Sequence, residues 1–290
     1  MKSTSLVPRG IIATVLTGGL AGVLALAALT PAAASTTVTT AGLTPAQQAA
    51  AAQVTHPQLD WLGSQVAKHP AATTPAAAQP LATTVAGMDV SAYQGTVNWS
   101  TAWANGAKFV YIKATEGTYY TNPDFSAQYN GSYNVGMIRG SYHFATPNTS
   151  SGAAQADYFI AHGGGWSADG HTLPGMLDLE WNPYGADCYG LSASGLVSWV
   201  LSFSNEYHAK EHVWPTIYTA TSYWSECTGN TGDFSSTNPL FVANYSSSAG
   251  TLPYNWGFWT FWQYADSGTF PGDQDKFNGA ISQLQAIAKG

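Results

Sequence analysis

Few residues of this chain carry charge. Only 9% of its 290 residues are Asp, Glu, Lys or Arg, and the nine basic residues form no cluster. Nucleic acid is therefore excluded as a partner, because neutralising phosphates takes grouped Lys and Arg. Cysteine is nearly absent: Cys188 and Cys227 are the only two, with no CxxC or Cys/His grouping, so no metal site is expected. No GxSxG occurs, which removes the nucleophile elbow of the α/β-hydrolases. The glycines at 163–165 follow a helical pattern and lack the lysine of a phosphate loop. With so little charge, the surface must be solvated mainly by Ser, Thr, Asn, Gln and Gly. That texture is common in secreted and carbohydrate-handling proteins, and the 11 Trp and 16 Tyr supply flat faces on which sugar rings can stack.

Three stretches differ in texture. Residues 1–34 read as a secretory leader: Lys2 and Arg9 open it, IIATVLTGGLAGVLALAALT is the apolar core, and PAAAS offers small residues for cleavage near Ala34. A membrane anchor is the competing reading, since the run approaches spanning length, but the Ala- and Gly-rich core and the small-residue site favour cleavage. No lasting membrane association is then expected. Removing two positive charges with the leader takes the formal charge from −7 to −9. Export to an oxidising compartment would join Cys188 to Cys227. Residues 35–86 are rich in Ala, Thr and Pro and nearly lack aromatics, so they cannot bury enough apolar surface to form a domain. They read as a linker or pro-segment. One island, THPQLDWLGSQVAKH, has the spacing of a short amphipathic helix around Leu59, Leu62 and Val66.

Residues 87–290 read as one catalytic domain. Strands are predicted at 87–90, 108–114, 136–144, 175–180, 215–219, 239–244 and 257–264, with helical patterns between the earlier ones. The clearest helix runs through Leu191, Leu196, Trp199, Val200 and Phe203. Continuous apolar strands alternating with helices point to a buried parallel sheet. The fold class is α/β, and seven or eight strands favour a TIM-like (β/α) barrel over an open sheet. Helical patterns thin out after Tyr218, so the final third is expected to be irregular or partly antiparallel.

In such a barrel the reactive face lies at the C-terminal ends of the strands. Asp89, Glu116, Tyr142, His143, Asp178, Glu180, Tyr218, Trp262, Gln263 and Tyr264 all fall there, and Asp273 follows in PGDQDKFNG. The stretch PGMLDLEW sets Asp178 and Glu180 two apart, hence on one face of a strand and about 6–7 Å apart. Two carboxyls so placed disfavour joint ionisation, so one pKa rises. Glycoside hydrolysis needs such a pair, one carboxyl protonated to meet the leaving oxygen and one ionised to face developing positive charge. Glu180, with the longer reach at the strand end, is the better donor. The competing reading is a hydrogen-bonded pair that caps the next loop. His143, alone among aromatics, reads as a packed and satisfied histidine.

From Gly87 to Lys289 the chain resembles the glycoside hydrolase family 25 lysozymes, the Chalaropsis-type muramidases. The resemblance is carried by GMDVSAYQG, FVYIKATEGTYYTNPDF, GSYHFA, AAQADYFIAHGGGW, LPGMLDLEWNPYG, FWTFWQY and PGDQDKFNG, in that order. It implies an irregular, flattened (β/α) barrel. It also implies a secreted N-acetylmuramidase that cleaves the β-1,4 bond between N-acetylmuramic acid and N-acetylglucosamine in bacterial peptidoglycan. By the same resemblance Glu180 is the general acid, Asp178 its partner at the reacting sugar, Asp89 the first-strand acid and Asp273 the late acid, with Asp275 within alignment error. Tyr142, Tyr218, Trp262 and Tyr264 would line the groove, and Glu116 belongs to a recurrent motif. No cofactor is expected, and the enzyme should act as an extracellular monomer. Two other functions remain open here: hydrolysis of another N-acetylated glycan such as chitin, and a catalytically silent carbohydrate-binding or inhibitor protein on this fold. With a charge of −9, binding to an anionic wall should rest on local contacts rather than long-range attraction.

Overall fold

The computed structural model describes residues 42–53, 58–69 and 83–290. The expected leader lies outside them. In chain order the elements are helix α1 (Pro45–Gln53), a 3-10 turn at Val66–Lys68, β1 (Val85–Val90), α2 (Trp99–Ala104), β2 (Phe109–Glu116), β3 (Tyr120–Thr121) and α3 (Phe125–Asn134). They continue with β4 (Ile138–Phe144), α4 (Gly152–Phe159), a π-helical turn at Ile160–Gly164, β5 (Met176–Asp178) and α5 (Ala193–Glu211). The last are β6 (Thr216–Ala220), α6 (Thr221–Thr228), β7 (Leu240–Ala243), β8 (Phe261–Ala265), β9 (Asp273–Phe277) and α7 (Ile281–Ile287).

Eight strands close into a barrel. The order runs β1, β9, β8, β7, β6, β5, β4, β2, with β1 pairing back onto β2 and β3 added as a short hairpin on β2. Neighbours are parallel from β1 through β8, while β9 is antiparallel to both β8 and β1. The irregular final third is this antiparallel closing strand. Alternation along each strand divides the apolar residues between two layers. Tyr111, Phe241, Phe261, Phe109 and Phe277 meet as tilted, edge-on and stacked rings that fill the lower barrel. Gly87 and Gly140 make room for this layer: a Cβ there would lie 2.3 Å from the Phe109 ring and 2.4 Å from the Tyr111 ring. Outside, Met88, Val90, Val110 and Ile112 pack with Trp99, Ala102 and Met137.

Several elements end where their chemistry requires. Ser151 and Ser192 accept from the backbone N–H three residues on, capping α4 and α5, and His212 ends α5 in the left-handed conformation. Lys108 Nζ lies over the Trp103 ring, 3.5 Å from its centroid, and ties α2 to the start of β2. The disulfide joins Cys188, in the loop after β5, to Cys227 in α6.

The island at 58–69 does not form the expected amphipathic helix; it folds as successive turns ending in one 3-10 turn. Gly63, at φ +86°, interrupts the helical pattern in its middle, and this left-handed conformation suits glycine best.

Candidate active site

Above the ring layer, the inward positions near the strand C-termini become polar. On β1 this is Asp89, on β2 Lys113, on β4 Tyr142, on β5 Asp178, on β6 Tyr218, and on β8 Gln263; Asp273 and Asp275 come from β9. Glu180 stands two residues beyond Asp178, past the end of β5. Strand β5 is thus shorter than expected, although Leu179 N–H still bonds the Tyr218 carbonyl. Asp89, Asp178, Glu180 and Asp273 therefore share one end of one barrel.

Gln263 organises one side of the cluster. Its Nε2 donates to Asp89 Oδ2 (2.9 Å) and Asp273 Oδ2 (2.8 Å), while its Oε1 accepts from the Tyr218 hydroxyl (2.6 Å) and the Tyr245 hydroxyl (3.1 Å). The two phenols fix which end of the amide faces the acids. Asp275 has the Asp89 carboxyl as its neighbour: burial and the Asp89 charge hold Asp275 well above the usual carboxylate range, and neither of its carboxyl oxygens has a hydrogen-bond partner among the described residues. Burial also pushes Asp89 up to about 8, against the bond from Gln263.

The opposite side is a buried ion cluster. Lys113 Nζ donates to Glu116 Oε2 (2.8 Å) and lies 3.1 Å from Asp60 Oδ1. Burial opposes the charge on Lys113, yet Asp60 and Glu116 raise its pKa above the ordinary lysine value. Glu116 Oε1 accepts from the hydroxyls of Tyr119 (2.9 Å) and Tyr184 (2.8 Å), and burial raises its pKa to about 8 even against the pull of Lys113.

Between the two sides stand Asp178 and Glu180. Both oxygens of Asp178 are buried without a hydrogen-bond partner among the described residues. Its pKa is raised well above the ordinary value, first by burial and then by the Glu180 charge. Burial raises Glu180 to about 8, despite backbone N–H bonds from Gly63 and Gln65 that favour its ionised form. The arrangement can hold a proton on one carboxyl near neutral pH beside a second carboxyl with free acceptor capacity.

The sequence profile of Glycosyl hydrolases family 25 matches residues 88–273, which carry this cluster apart from Asp275 and the upstream Asp60, Gly63 and Gln65. The chain belongs to glycosyl hydrolases family 25. It is 53% identical over 211 residues to an N,O-diacetylmuramidase of Chalaropsis sp, covering 71% of this chain and all of that one. Lysozyme M1 of Streptomyces globisporus is 49% identical, over 70% of this chain and 71% of its own length. Among solved structures, a muramidase from Acremonium alcalophilum superposes with a TM-score of 0.69 at 54% identity, covering 71% of this chain and 99% of that chain. A family 25 lysozyme from Aspergillus fumigatus gives 0.71 at 51% identity, covering 72% of this chain and all of that one.

This family 25 barrel also corrects two expectations. Trp262 and Tyr264 occupy the face of β8 opposite Gln263, and their contacts run to Trp259, the Asn244 carbonyl and Lys276, whose ammonium lies over both rings. Alternation along the strand forces this, because only every second residue faces inward. Tyr142 and Tyr218 do reach the cluster. His143 is satisfied on both nitrogens, by Thr115 Oγ1 (2.8 Å) and Gln155 Oε1 (2.9 Å), and burial lowers it to about 3, leaving a neutral packing residue. The sequence reading missed Lys113, Tyr184 and Tyr245 as site residues, and it put Gln263 at the reactive face without giving it a role. For Lys113 a signal was present, since a lone lysine inside the apolar FVYIKA run needs a buried partner.

The raised carboxyls make stability depend on pH. Between the ordinary carboxylate range and about 8, folded Asp89 and Glu180 hold protons that the unfolded chain has released. The native state then binds more protons, so stability falls as pH rises through this window. The urea midpoint should be higher at about pH 5 than at about pH 8; a flat or reversed trend would show that these acids are ionised in the fold.

Proposed function

We propose that this chain is a secreted, monomeric lysozyme, an N-acetylmuramidase that hydrolyses the β-1,4 bond between N-acetylmuramic acid and N-acetylglucosamine in peptidoglycan. The observation that carries the proposal is the Asp178–Glu180 pair, buried at the reactive end of a family 25 barrel whose relatives are named muramidases and lysozymes. Glu180 is the general acid that protonates the leaving glycosidic oxygen, a task suited to a carboxyl held protonated near neutral pH. Asp178, with both oxygens unbonded, faces the positive charge developing on the muramic sugar and orients its 2-acetamido group. Asp89, Gln263 and Asp273 hold the sugar hydroxyls on one side, and Lys113, Glu116 and Tyr142 line the other. The name N,O-diacetylmuramidase, borne by two relatives above 50% identity, extends the proposal to glycan whose muramic acid is O-acetylated.

Product analysis tests this reading. Exhaustive digestion of purified peptidoglycan, native and de-O-acetylated, should yield fragments with muramic acid at the reducing end by mass spectrometry. Fragments ending in N-acetylglucosamine, or cleavage of chitin alone, would overturn it.

A further inference from the structure

The catalytic candidates are closed off from solvent. Glu180 and Asp178 are each 1% exposed, which leaves no room for a glycan strand above them. What covers them is the turn segment 58–69, which lies outside the stretch matched by the family profile.

This segment meets the site group by group. Gly63 N–H donates to Glu180 Oε1 (2.8 Å) and Gln65 N–H to Glu180 Oε2 (3.2 Å), so both oxygens of the proposed acid serve as acceptors. Leu62 N–H donates to the Tyr142 hydroxyl (3.2 Å), and the Leu62 carbonyl accepts from Gln263 Nε2 (3.0 Å). The Gly63 carbonyl accepts from Tyr245 (3.1 Å). Asp60 takes Lys113 through its carboxylate and, at 2.6 Å, through its carbonyl, and it accepts from Tyr184 as well. At the ends, His69 stacks on Trp181 at 4.3 Å and Trp61 on Tyr93 at 6.1 Å. Fit at the centre is tight: a Cβ on Gly63 would lie 2.4 Å from both Gln263 Oε1 and the Tyr245 hydroxyl. Helix α1 anchors the chain upstream, with Ala50 and Ala51 packed on Tyr119 and Tyr120 and Gln47 bonded to Thr118.

We infer that residues 58–69 are a built-in inhibitor that occupies the glycan-binding groove, so the intact chain is latent and its activity waits on displacement of this plug. The inference rests on the muramidase reading for what the plug excludes. Main-chain amides and carbonyls of the plug engage the groups that would bind the hydroxyls and acetamides of a glycan. A general acid that already accepts two N–H bonds cannot approach a leaving oxygen. Tethering gives the plug a high effective concentration, so modest contacts suffice to keep the groove closed.

The test compares the full chain with two full-length variants, Asp60→Ala and Gly63→Val, neither of them in the proposed catalytic set. Lysis of peptidoglycan by either variant should exceed that of the unmodified chain by at least about 10-fold, the factor by which a closed state lowers the competent population. A synthetic peptide of residues 58–69 should inhibit the variants, and the same peptide carrying Gly63→Val should not. Hydrogen exchange reads seating of the plug without reference to catalysis: the Gly63 and Gln65 amides should be protected in the unmodified chain and exchange faster in Asp60→Ala. Equal and measurable lysis by all three proteins, or unprotected amides in the unmodified chain, would overturn the inference. No lysis from any form, with the amides protected in the unmodified chain and exchanging faster in Asp60→Ala, would instead overturn the muramidase reading and with it the identity of the ligand excluded.

Discussion

Glu180→Gln, made in the Asp60→Ala background so that the groove is open, should lower peptidoglycan lysis by about 10²–10⁴-fold, the usual contribution of a positioned general acid. Glutamine keeps the shape of the side chain and cannot supply the proton. Folding should be undisturbed, and the melting temperature should hold or rise, because the variant removes a buried carboxyl whose ionisation the surroundings oppose. With the plug otherwise intact, the same change has a second effect. An amide can accept from only one of the Gly63 and Gln65 N–H groups and turns its own NH₂ toward the other. Amide protection in the plug should therefore fall while catalysis is also lost. Near-normal lysis by a folded Glu180→Gln protein would remove Glu180 from the donor role.

Asp178→Asn, in the same open background, should reduce kcat by about 10²–10³-fold, the cost of removing one pre-set electrostatic contact to the transition state. The reason lies in what Asp178 lacks. A buried carboxyl with no donor on either oxygen is costly to the fold, and such a group persists where a ligand completes it. Stability should accordingly stay level or increase in Asp178→Asn, whereas a loop-capping carboxyl would lose stability on the same change. A kcat unchanged with stability lowered would assign Asp178 to structure. If Asp178→Asn abolished turnover while Glu180→Gln did not, the donor and partner roles would exchange.

Much of the frame was open to reading from local pattern. Apolar strand runs, helical spacing in 193–211, and acids recurring at strand ends are features of neighbouring residues, and they led to the barrel and to Asp89, Asp178, Glu180 and Asp273. The closing strand β9 was legible only as a motif. Its inward Asp273 and Asp275 give DQDKF the composition of a loop, since aspartate is poor in strands unless a particular site demands it. In β8 the run FWTFWQY is apolar on both faces, so nothing local told Gln263 from Trp262 and Tyr264 as the inward residue. Pairing Gln263 with Asp275 on β9 decides it.

The sequence by itself determined the class of fold and the acid pair of PGMLDLEW, because each depends on residue type and short-range spacing. Only the tertiary structure decided the partners of those acids. Asp275 meets Asp89 across the barrel closure, and Lys113 meets Asp60 from 53 residues upstream. Glu180 receives the Gly63 amide across 117 residues of chain, from a segment whose composition suggested a linker or pro-segment. Such contacts follow from barrel closure and from the return of the N-terminal segment over its mouth, and no local periodicity encodes where a distant turn will settle.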